Sequence, residues 1–113
     1  MIFNPHTYDP SAYDAQTQRQ LKALIAFFEA KGLAQMKDDF HDRTWYDDFL
    51  EFNAKEGILA TFGTPAAVGG EGARWDTARI NDLNEILSFY SLSYWYAWQV
   101  TVLGLGPVWM SEN

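Results

Sequence analysis

The sequence predicts an all-α protein, a bundle of about five helices with one glycine- and proline-rich loop. Three observations carry that prediction. Apolar residues recur three and four positions apart along most of the chain. No alternation of apolar and polar residues is long enough to require a strand. One stretch, TFGTPAAVGGEGARW at 61–75, concentrates four glycines and a proline and denies the backbone a long regular element there. With 113 residues, 48% hydrophobic and 17% aromatic, the chain is long and apolar enough to bury one core, and a charged share of 20% is too low for disorder. One helical domain over 1–113 follows.

Taken in order, residues 1–15 read as an ordered arm, with Asn4, Pro5, Asp9, Pro10, Ser11 and Asp14 as breakers or caps around Phe3, Tyr8 and Tyr13. From about Gln16 to Lys31, Leu21, Leu24, Ile25 and Phe28 trace one helix face, and Gly32 stops it. Leu33 to Asp42 carries a shorter pattern through Leu33, Met36 and Phe40. Thr44 with Asp47 three residues on resembles a capping box, so a helix over 45–56 is expected, its face formed by Trp45, Phe49 and Phe52 and its end marked by Gly57. After the loop, Asp76 or Thr77 caps a helix whose stripe is Ile80, Leu83, Ile86, Leu87 and Tyr90. A last helix starts after Ser91 or Ser93 and runs towards Met110.

Composition removes several functions. A net charge of -7 repels polyanions, so no nucleic-acid partner is expected. Without cysteine there is no disulfide, thiolate ligand or cysteine nucleophile. MIFNPHTYDP lacks the basic and apolar regions of a secretory signal, and a cytoplasmic location is expected. His6 and His41 stand 35 residues apart outside any HxxxH or HExxH pattern and read as surface histidines, so no metal site is expected. Asp38, Asp39, Asp42, Asp47 and Asp48 read as a solvated cluster around a helix start. Gly69-Gly70-x-Gly72 has neither a preceding strand nor a following Gly-Lys-Ser/Thr, and close packing or a left-handed turn explains it better than a phosphate loop. Nothing assembles a nucleophile, a base and an orienting group, so no catalytic residue is expected.

The last helix poses the main question, because no charged side chain occurs from Ile86 to Ser111. That length suffices for a bilayer. Yet Ser88, Ser91, Ser93, Gln99, Thr101 and Pro107 interrupt it, and Tyr94, Trp95, Tyr96 and Trp98 lie mid-segment rather than at two interfaces. No membrane span is expected. A helix apolar nearly all round belongs in the centre of a larger protein, and the other helices here are too few to cover it. The chain is therefore expected to be a fragment of a longer one whose missing parts cover the exposed face.

Two segments carry a resemblance. The third helix and its loop read EFNAKEGILATFGTPAAVGGEG, with Pro65-Ala66-Ala67-Val68-Gly69-Gly70 in the loop. Then comes NDLNEILSFYSLSYWYAWQVTVLGLGPVWMSEN, with Leu103, Gly104, Pro107 and Asn113 near its end. This order resembles the N-terminal domain of the acyl-CoA dehydrogenases over roughly residues 16–113. Family members commonly show a Gly-Leu/Ile-Leu segment, then Pro-Glu-x-Tyr-Gly-Gly, and close the domain with Leu-Gly, Pro-Ile and Gly-Asn. The acidic and aromatic residues of that loop are absent here, which marks a divergent branch.

The resemblance implies a parent enzyme in which this domain precedes a β-domain and a second helical domain, the three together binding FAD and an acyl-CoA thioester. A carboxylate base removes the α-proton while hydride leaves the β-carbon for flavin. Base and flavin contacts lie in the other domains, so this chain alone is expected to bind no cofactor and catalyse nothing. By matching position, Trp95, Gln99 and Leu103 would wall the acyl pocket, and a homo-oligomer is expected. Trp95 is larger than the residues common there, which raises the pocket floor and favours a short or unusual acyl group. A free-standing helical oligomerisation module is the alternative.

Overall fold

In a computed structural model, which describes residues 2–111, the chain is all-helical: α1 (Ala15–Lys31), α2 (Leu33–His41), α3 (Asp47–Glu56), α4 (Ile58–Phe62), α5 (Thr77–Tyr90) and α6 (Leu92–Met110). No strand occurs among the described residues. Among the described residues there are six helices rather than five, because Gly57, with φ 67°, ends α3 and turns the chain directly into the short α4. A side chain at that φ would be strained, which is why glycine stands there.

The expected Thr44–Asp47 capping box does not form, and α3 begins at Asp47 with Tyr46 at its cap and no side-chain hydrogen bond. Two interactions displace it. The Thr44 amide donates to the Asp39 carbonyl at 2.9 Å, extending the end of α2, and the Tyr46 ring packs edge-on against Tyr94 at 5.5 Å. Trp45, expected on the packed face, is 67% exposed. α1 and α5 are capped as their sequences require: Asp14 accepts from the Thr17 amide and Asp76 from the amides of Ala78 and Arg79.

The core takes Leu21, Leu24 and Phe28 from α1, Phe49 from α3, Ile58 and Phe62 from α4, Leu83, Ile86 and Leu87 from α5, and Tyr94 and Trp98 from α6. α2 contributes Met36 alone, leaving Leu33 and Phe40 exposed. Phe28 sits at the aromatic centre, stacked on Tyr90 at 4.9 Å and edge-on to Tyr94 at 5.3 Å. Truncating such a ring in a close-packed core typically costs about 3–5 kcal/mol. The N-terminal arm is ordered by the Tyr8 hydroxyl, which donates to Asp82 at 2.8 Å, and by Phe3, which packs on Phe89 at 5.3 Å.

The loop is fastened by a buried arginine. Arg79 of α5 is fully buried; its Nη2 donates to the carbonyls of Thr61, Gly72 (3.0 Å) and Arg74 (2.9 Å), and its Nη1 to the Thr17 hydroxyl at 3.2 Å. The guanidinium also lies 4.5 Å from the Phe62 ring centre. Glycine at 72 answers the left-handed turn expected of this loop, with φ 82° and its Cα against Gln16, where a Cβ would collide. Around this anchor, Arg74 bridges the two helix caps, at 2.8 Å from Asp14 and 3.3 Å from Asp76.

Candidate functional site: the outward face of α6

α6 is held on one side only. Tyr94 and Trp98, one turn apart, enter the core, with Trp95, Ala97 and Val102 packed beside them. Near its far end the Trp109 indole donates to the Gly63 carbonyl at 3.0 Å and ties the helix to the end of α4. At its near end the Tyr94 hydroxyl accepts from Lys31 at 2.5 Å.

Lys31 joins four helices. Its ammonium lies 2.6 Å from both Asp39 of α2 and Asp48 of α3 while reaching Tyr94 of α6. Burial disfavours the charge, but the hydrogen bonds that Lys31 donates to Asp39, Asp48 and Tyr94 outweigh it and raise the lysine pKa. The same bond to Lys31 holds the Asp39 carboxyl below the usual range. Two members of the expected solvated acidic cluster therefore serve as a clamp that seats α2 and α3 against α1 and α6.

The opposite side of α6 faces outward and is uncharged throughout. Leu92, Tyr96 and Val100 follow one another at helical spacing and Leu103 and Pro107 continue the stripe. Leu92 is 68% exposed, Tyr96 63%, Leu103 63% and Met110 83%. A Cβ built on Gly104 or Gly106 would meet open space, so another backbone could approach closely there. From Leu92 to Met110 no side chain is charged. Thr101 turns its hydroxyl back onto the Ala97 carbonyl at 2.9 Å. The face can bind by apolar contact and by excluding water.

Trp95, Gln99 and Leu103 lie along one edge of this face. Trp95 is half-buried against the core, Gln99 is half-buried, and Leu103 is exposed. They share a stripe, as their spacing of four requires. Two cavities beside the second half of α6, of about 330 and 430 Å³, are lined from other positions: Gly106, Trp109 and Met110 with Pro65 and Trp75, and Leu105 and Trp109 with Leu59 and Ala60. Asn113, matched in the resemblance, lies outside the described residues. No helix among the described residues is long and apolar enough to cross a membrane. His6 and His41 are exposed, and no group of three or more potential metal ligands forms among the described residues.

Sequence reasoning missed Arg79 and Lys31. Neither carries a local signal: Arg79 sits in the first turn of a helix beside a capping aspartate, where arginines are ordinarily solvated. Compared with models of protein families, with curated proteins and with solved structures, the chain matches none.

Proposed function

We propose that the chain is the N-terminal helical domain of an acyl-CoA dehydrogenase-like, FAD-dependent oxidoreductase of the cytoplasm. Trp95, Gln99 and Leu103 then form one wall of the acyl pocket, and the rest of the outward face of α6 packs against the β-domain and the C-terminal helical domain. The observation that supports this reading best is the face itself: a 19-residue helix without a charge, open to solvent along one whole side. Monomeric proteins rarely expose a contiguous apolar surface of that kind, and it commonly marks an interface or a ligand groove. The motif order around it, from Pro65-Ala66-Ala67-Val68-Gly69-Gly70 to Leu103-Gly104 and Pro107, supplies the family.

In this reading FAD supplies the hydride acceptor and is held, like the base, outside this chain. The chain's own residues bind and orient the acyl tail and keep water from it. Trp95, fixed by its packing on the core, limits the depth of the pocket and selects short or unusual acyl groups.

The same face favours a second reading, a helical oligomerisation module in which α6 meets α6 of another copy. One experiment separates them: the absorbance spectrum and acyl-CoA-dependent dye reduction of the gene product expressed to its natural stop codon, beside residues 1–113 alone. A yellow, active long form with a colourless short form is the expected result. A colourless product that self-associates with concentration would replace the enzyme by the module.

A further inference from the structure

α2 and the turn after it, residues 33–44, are tied to the rest of the molecule at few points. Gly32 alone joins the segment to α1. Within it only Met36 is buried and only Asp39 half-buried, and every other residue is exposed. The backbone bonds that close its end stay inside it: the amides of Asp42, Arg43 and Thr44 donate to the carbonyls of Asp38, Phe40 and Asp39. That local closure accounts for the left-handed φ of Arg43, 55°. Gln35 and Phe40 also turn to neighbours in the segment, Gln35 donating to Asp39 at 2.9 Å and Phe40 lying edge-on to His41 at 5.8 Å. Beyond the joint at Gly32, two attachments stand out among the described residues: Met36 enters the core, and Asp39 lies 2.6 Å from Lys31 of α1. A cleft of about 270 Å³, lined by Met36 and Phe40 as well as by Tyr46 and Tyr94, opens where the far end of the segment meets the rest of the fold.

We propose that residues 33–44 form a latched flap that opens as one unit while the other helices stay folded, with Met36 and the Lys31–Asp39 pair as its two latches. Local opening costs least where few buried apolar contacts are given up and the backbone bonds are exposed to solvent, and both conditions hold here. Lys31 keeps Asp48 and Tyr94 when the flap lifts, so the only charged group it gives up is the Asp39 carboxylate, which returns to water. Opening removes Met36 from the core and widens the cleft onto Tyr94. The inference is independent of the acyl-pocket reading.

The test is native-state hydrogen exchange of residues 1–113, read amide by amide. The amides of α2 are expected to exchange through an opening that leaves α1 and α5 protected. Asp39→Ala should speed α2 exchange about fivefold or more with α1 and α5 unchanged, although alanine is the better helix former. Met36→Ala, which removes the other latch, should act in the same direction. Gln35→Ala removes a bond within the segment alone and should leave α2 exchange within about twofold of the parent. Exchange of α2 only together with α1 and α5 would overturn the proposal. So would Asp39→Ala leaving α2 unchanged or speeding all helices equally, or Gln35→Ala acting as strongly as Asp39→Ala.

Discussion

Arg79 is where a single side chain governs the most structure. Three backbone carbonyls and the Thr17 hydroxyl accept from one guanidinium, and the groups it serves belong to α1, α4 and the loop. Replacing it with alanine leaves the half-buried Gly72 and Arg74 carbonyls without a protein donor, at about 1–3 kcal/mol apiece, while the Thr61 carbonyl keeps the Arg74 amide at 3.1 Å, so Arg79→Ala should lower the free energy of unfolding in denaturant by about 2 kcal/mol or more. Arg79→Lys should also destabilise, because a point charge cannot reproduce the fork or the guanidinium's contact with the Phe62 ring. Asp14 sets a pH dependence. Hydrogen bonds from Thr17, and then Arg74, hold its carboxyl well below the usual carboxylate range. Its folded pKa lies beneath its unfolded value of about 3.9, so its contribution is complete above about pH 4 and is lost as pH falls through the folded value. Asp14→Asn keeps a capping acceptor but removes that charge. The stability difference between the two proteins should be constant near neutral pH and shrink in an acid titration below about pH 4.

The helices show which features local sequence can signal. α1 was legible because Asp14 caps it, Gly32 ends it and Leu21, Leu24 and Phe28 keep one period, all within the segment itself. α4 was not, since five residues are too few to display a helical period. The start of α3 was misplaced because the end of α2 took the Thr44 amide and the Tyr46 ring found Tyr94, contacts that depend on other elements. α6 was legible as an apolar helix. Its outward side was not, because a helix apolar nearly all round gives no stripe by which to tell in from out. Two predictions belong at this scale. Gly57→Ala meets no atom within 4 Å, so it should cost only the backbone term of about 1–2 kcal/mol, read from the denaturation midpoint. Val100→Glu, on the outward face, should change the stability of residues 1–113 by no more than about 0.5 kcal/mol. On the proposed reading of a longer flavoprotein, the same change should abolish flavin retention, because it would bury a carboxylate against the proposed apolar partner.

At the scale of the whole molecule, the parts divide between those that finish the fold and one that leaves a surface open. Arg79, Arg74 and the helix caps close the loop end; Lys31, with Asp39, Asp48 and Tyr94, closes the α2–α3 end. Between them α6 presents an uncharged side, and its proposed role is to be covered. Hydroxyl-radical footprinting at Tyr96, Leu103 and Met110 tests that claim most directly, applied to residues 1–113 and to the gene product expressed to its natural stop codon. The account predicts rapid labelling of all three in the short form and strong protection in the long one, with Ile2 and Phe40 labelled alike in both. Equal labelling of the α6 residues in the two forms at every protein concentration would contradict it.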